Sequence, residues 1–173
     1  YQTGIATLAA IQGACFKGQR MLDWLLGPFL SMVGFDYRNK RQKDRILLEE
    51  FLTVLPSESD AVLFLKDHDM GYPVPSSYFR PLHQVVDYWL GPDREFQVAR
   101  LERLKASFIE SLQTFLSHYA KRSGGEGGGY ISIGLRDWED RPEMLKYKDD
   151  LNELSTAAYK KYEEFVRLAR KEI

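Results

Sequence analysis

The residues of this chain that could do chemistry begin with its histidines, of which there are three. His68 stands between Asp67 and Asp69, and His83 lies four residues before Asp87, a spacing that puts both on one helical face. Some metal phosphohydrolases on all-helical folds gather their ligands this way, from a His-Asp pair and a second His and Asp further along. A hydrolytic metal site also keeps a coordination position open for water. On this reading His68, Asp69, His83 and Asp87 are candidate metal ligands of a metal-dependent hydrolase. Those enzymes use more histidines than His68, His83 and His118 can supply. The structural alternative is that Asp67 and Asp69 cap a helix end or turn while His68 hydrogen-bonds a neighbour.

Other catalytic arrangements are weaker still. Ribonucleases on small helical bundles pair Arg and His four to six residues apart on one helix, whereas Arg80 and His83 are three apart. Cys15 lies in an apolar segment with no nearby His to activate it. No Gly-x-Ser-x-Gly elbow occurs. The run Gly124, Gly125, Gly127, Gly128 and Gly129 is not a phosphate loop, which needs a strand before it and Gly-Lys-Ser/Thr at its end. It reads as a flexible linker. No cofactor is expected.

The 173 residues suit one domain, or one domain with an appended N-terminal segment. A net charge of −1 gives no reason to expect non-specific nucleic-acid binding. A lone cysteine forms no internal disulfide and suits a reducing compartment. The chain starts at Tyr1 without a methionine, as a fragment or trimmed product would.

Periodicity supplies the scaffold. Leu101, Leu104, Phe108, Leu112, Phe115 and Tyr119 recur at three or four residues, and so do Tyr147, Leu151, Leu154, Ala158, Tyr162, Phe165, Ala169 and Ile173. Two long helices are expected, 94–122 capped by Asp93 and 142–173 capped by Asp140. Each is roughly 45 Å long. Upstream, Ile46, Leu47, Leu48, Phe51, Leu52 and Leu55 make a stripe that Pro56 ends. Ser57 and Asp60 form a capping signal for 61–67. Leu82, Val85, Val86 and Trp89 face inward from a helix that stops at Gly91-Pro92. Ile131 to Glu139 would cross between the long arms, with Trp138 packed beneath. The expected fold is therefore all-α, with short helices packed on a long antiparallel hairpin, 94–122/142–173. Its domain organisation is an apolar helical segment, 1–35, for docking or interfacial insertion, and a bundle, 36–173. In 1–35 no apolar run reaches the ~20 residues of a membrane span. The stretch Arg38 to Arg45 that follows is strongly basic, as juxtamembrane cytoplasmic stretches are.

The run Phe64 to Gly71, then Pro81-Leu82, Trp89, Asp93, Glu95, Phe96, Asp137-Trp138-Glu139 and Pro142-Glu143, resembles a family of uncharacterised bacterial helical domains that follow a membrane anchor. The likeness covers about residues 46–173. It implies a helical domain on the cytoplasmic side of a membrane and carries no catalytic residue over. The residues themselves favour a non-catalytic interaction module that binds a protein partner or self-associates, cytoplasmic or peripheral to the inner face of a membrane through residues 5–45. The hydrolase is the alternative. A small-molecule sensor with an apolar pocket between helices is a further one.

Overall fold

A computed structural model describes residues 39–134 and 141–173. The apolar segment 5–35, Cys15, Trp138 and the expected cap Asp140 lie outside them. The described chain is mostly α-helical, with five α-helices and a small three-stranded sheet. Helix α1 spans residues 39–54, followed by α2 (Asp60–Asp67), strand β1 (Val74–Pro75), α3 (Phe79–Tyr88), α4 (Ala99–Arg122), β2 (Gly124–Gly127), β3 (Tyr130–Ser132) and α5 (Arg141–Glu172).

The helical stripes meet in an aromatic core. Phe51 of α1 is fully buried. Its ring lies 4.9 Å from Trp89 and 5.2 Å from Phe165, both edge-on, and 6.3 Å from Phe108 and from Tyr162. One side chain thus joins α1, the end of α3, α4 and α5. Burying each such side chain stabilises by about 1.5–3 kcal/mol, and each well-angled ring pair adds about 0.5–1.5 kcal/mol. Ile46, expected in the α1 stripe, is half exposed. The heaviest packing is between α4 and α5. Arg122 pairs with Glu143 at 2.9 Å, Tyr147 donates to the His118 carbonyl, Lys161 Nζ donates to the Ser107 carbonyl at 3.4 Å, and Arg100 meets Glu172 at 3.5 Å.

Two expectations fail here. The glycine run is not a linker, and the fold is not purely helical. Gly128 and Gly129 have φ of 62° and 83°, so both central residues of a two-residue turn take the left-handed conformation that a type I′ hairpin needs. The turn joins β2 to β3 antiparallel, with a register shift between Gly125 and Gly127. β1 then pairs with the other edge of β3, Val74 opposite Ile131 and Pro75 opposite Tyr130. Proline is tolerated because β1 is an edge strand.

The start of α4 is a further correction. Asp93 does not cap it. Pro92–Arg94 forms a separate 3₁₀ turn, residues 95–98 are non-helical, and α4 begins at Ala99. The two residues just before it are held from another helix: the buried Asp44 carboxylate of α1 accepts from Gln97 N at 2.7 Å and Val98 N at 2.9 Å. Phe96 N donates to Glu102 Oε2 at 2.9 Å, and the same carboxylate holds Lys105 Nζ at 2.8 Å. Lys105 is fully buried, donates to the Arg94 carbonyl at 2.6 Å and lies 5.7 Å from the centre of the Phe96 ring.

Hydrogen bonds to a charged group are worth about 1.5–3 kcal/mol each. Asp44→Ala is therefore expected to lower stability by about 2–4 kcal/mol, whereas Asp93→Ala shifts it by less than about 0.5 kcal/mol. Urea unfolding of the two variants separates the clamp made by Asp44 from any local effect of Asp93, and equal effects would remove Asp44 from this role.

Candidate functional site

His68 follows α2 directly. Its Nε2 donates to the Tyr72 carbonyl at 3.2 Å, and its ring lies 5.3 Å from that of Phe64. Asp69 accepts from Gly71 N at 3.0 Å and from Asn152 Nδ2 at 3.4 Å, while its other oxygen faces Lys148 Nζ at 3.8 Å. Asn152 in turn accepts from Met70 N at 2.9 Å. The Asp69–Gly71 turn is thus clamped onto α5, and the buried Met70 is held in the core. The Gly71 amide, aided by Asn152 and Lys148, holds the Asp69 carboxyl below its ordinary value. His83 and Asp87 are exposed on α3. Among the described residues no three His, Cys, Asp or Glu groups are placed to hold one ion. His68, Asp69, His83 and Asp87 are therefore not gathered as a metal site, and Asp69 and His68 serve the turn.

Among the concave regions of the described residues, two border α4 and α5 and carry arginines in their lining. One, of about 370 Å³, lies beside the β2–β3 hairpin. Several of its polar groups are already committed: Ser132 Oγ bonds the Glu126 carboxylate and accepts from Gly134 N, and Arg122 pairs with Glu143. The other, of about 360 Å³, runs along the C-terminal half of α5 beneath the turn that follows α1. Tyr159, Tyr162, Val166 and Arg170 line it because successive steps of three or four residues return to one helical face. Ser57 closes it from the opposite side, and Glu163 and Arg167 flank it.

A directed chain of hydrogen bonds orders this groove. The buried Tyr162 hydroxyl donates to the Leu55 carbonyl at 2.9 Å, leaving its oxygen as acceptor for Ser57 Oγ at 3.1 Å. Ser57 Oγ then accepts from Arg170 Nη2 at 3.3 Å. Burial pushes the Tyr162 phenol up, against the opposing pull of Ser57 and Arg170. Ser57 is therefore not the cap of α2. Ser59 occupies that position, without a side-chain cap bond. By position alone, Arg167 and Arg170 are cations in the last turns of α5, where they suit the helix dipole. The signal that could have exposed the groove is the Tyr159, Tyr162, Val166, Arg170 repeat, which brings aromatic rings and a guanidinium onto the same face.

No α-helix among the described residues is long and apolar enough to cross a membrane.

Asp69 yields a pH prediction. A carboxyl whose folded pKa is depressed contributes stability above its unfolded value, here 3.8, and loses that contribution as pH falls through the folded pKa. Asp69→Asn is expected to be less stable than the parent at pH 6, with the gap closing below pH 3.8. Urea midpoints measured across that range check it, and a gap independent of pH would refute the assignment. Asn152→Ala, which frees the same turn, is expected to cost about 1–2 kcal/mol.

Compared with known proteins, the chain matches no protein-family model, no curated protein and no solved structure.

Proposed function

We propose that this chain is a helical interaction module whose α4 and α5 act as one antiparallel hairpin, and that the groove on the C-terminal half of α5 receives a segment of a protein partner. The pairs 122 with 143, 107 with 161 and 100 with 172 support the hairpin. The observation that carries the docking role is the lining of the groove. Tyrosine and arginine are the residues most enriched at the energetic centres of interfaces, because they combine a large stiff apolar body with a directed polar end. Here Tyr159, Tyr162, Arg167 and Arg170 sit together around a concavity floored by Val166. Tyr162 is locked by its bond to Leu55, so part of the ordering entropy of binding is already spent in the free protein. The basic, exposed start of α1, with Arg41, Lys43 and Arg45, favours placement of the module near an anionic membrane surface.

The test is a photo-reactive amino acid placed at position 159 in the living source cell. It is expected to give a discrete cross-linked protein, while the same probe at Glu110, on the exposed side of α4, does not. Tyr159→Ala is expected to weaken the captured interaction by about 10- to 30-fold, in the range of an interface hot spot. Identical cross-linking from both positions would defeat the docking role.

A further inference from the structure

The groove holds more positive charge than the protein itself neutralises. Arg167 and Arg170 stand on one side of α5, and neither forms an ion pair with a carboxylate among the described residues. Glu163 lies one turn from Arg167 without pairing to it. Cations in the last turns of a helix suit its dipole, which would account for the charge. It does not account for the Ser57 hydroxyl placed 3.3 Å from Arg170 Nη2, or for the order running on through Tyr162 to the Leu55 carbonyl.

That chain has a direction. Tyr162 spends its proton on Leu55 and Ser57 spends its own on Tyr162, so Ser57 Oγ is left as an acceptor facing a guanidinium. One of the five Arg170 N–H donors is used, in an exposed bond to Ser57. No other Arg170 donor meets a protein acceptor among the described residues, and a second guanidinium lies one turn away on the same groove. A planar fork of this kind fits the two oxygens of a carboxylate or phosphate, and the charge-assisted bonds it makes are roughly twice as strong as neutral ones. The Tyr159 ring and Val166 supply an apolar wall beside it.

We infer that the groove between the Ser57 turn and α5 is an oxyanion-binding site, in which Arg170, aided by Arg167, takes a carboxylate or phosphate monoester carried on a partner segment while Tyr159 and Val166 take the apolar residue beside it. This rests on the docking role proposed for the same groove. It specifies an acidic or phosphorylated partner, and Glu163 at the rim disfavours an anion placed on its side.

The experiment is a titration followed by the amide of Ser57 and the Nε–H resonances of Arg167 and Arg170. The probes are acetate, methyl phosphate, and two short peptides with either glutamate or phosphoserine between leucines, all at constant ionic strength balanced with chloride. Saturable shifts at these groups are expected, with the peptides binding more tightly than the free anions, and the tighter of the two peptides names the anionic group. Arg170→Gln is expected to weaken binding at least tenfold with an unchanged melting temperature, and Lys121→Gln, in the cleft beside the β-hairpin, is expected to leave it alone. Shifts that chloride alone reproduces, or that survive Arg170→Gln, would overturn the inference. A position-159 cross-link that persists in Arg170→Gln would leave the docking role standing and remove the oxyanion. Loss of the cross-link in the parent would remove the docking role itself.

Discussion

The passage into α4 is clamped from another helix, and much of the described structure follows from that clamp. Backbone amides taken out of water are obligate donors. The residues that precede α4, Glu95 to Val98, are non-helical, so their amides have no ladder to join. The acceptor for Gln97 and Val98 comes from Asp44, more than fifty residues upstream, whose two carboxylate oxygens each take one amide. A carboxylate in that position has its desolvation offset by two charge-assisted bonds and by the positive end of the helix. Behind it, Glu102 and Lys105 repeat the device. A fully buried ammonium would be untenable alone, but here it meets a carboxylate at 2.8 Å and a carbonyl at 2.6 Å. Such a cluster contributes specificity more than net stability. It accepts only one position of α1 and of the Gly91–Val98 passage against α4, because any shift strands a charge away from water.

That lock explains where sequence reading succeeded and where it stopped. The apolar faces of α4 and α5 were legible because helical period is a local property. Leu101, Phe108, Leu112, Phe115 and Tyr119 are buried as the spacing demands, and so are Leu151, Ala158, Tyr162, Phe165 and Ala169. Lys105 is not one of the apolar residues of that repeat, yet it is more deeply buried than Leu104 beside it. Nothing local marks a lysine whose partners are a glutamate one turn earlier and a carbonyl eleven residues back. Asp44 looked like one acidic residue in a basic run. Its role depends on a contact that only the packing of α1 creates.

The same division runs through the site. Asp67-His68-Asp69 and His83 with Asp87 looked chemically suggestive because spacing shows which residues share a face, not which faces meet. In the structure Asp69 turns toward α5, His68 bonds within its own turn, and Asp67, His83 and Asp87 face solvent. The glycine run illustrates a different failure. A Gly-Gly pair before Tyr130-Ile131-Ser132-Ile133 is a hairpin signal in its own right, outweighed here by the composition of the run. The strand that completes the sheet, Val74–Pro75, is too short to announce itself.

Seen from α5, these details have one consequence. Tyr147 reaches the end of α4, Lys148 and Asn152 hold the Asp69–Gly71 turn, and Tyr162 holds the Leu55–Ser57 turn. These tethers follow one another along a single stiff rod. The groove is assembled at one of these points, where a ring that belongs to the core also presents its hydroxyl to the turn above. Tyr162 packs 5.5 Å from Phe108 and bonds Leu55 with the same side chain. The position of the Ser57 hydroxyl is thereby set by the hydrophobic core rather than by surface side chains alone. That part of the site keeps its geometry without a ligand, because moving Ser57 out of register breaks a bond to a ring anchored in the packed interior, and Arg170 then has a fixed acceptor to return to.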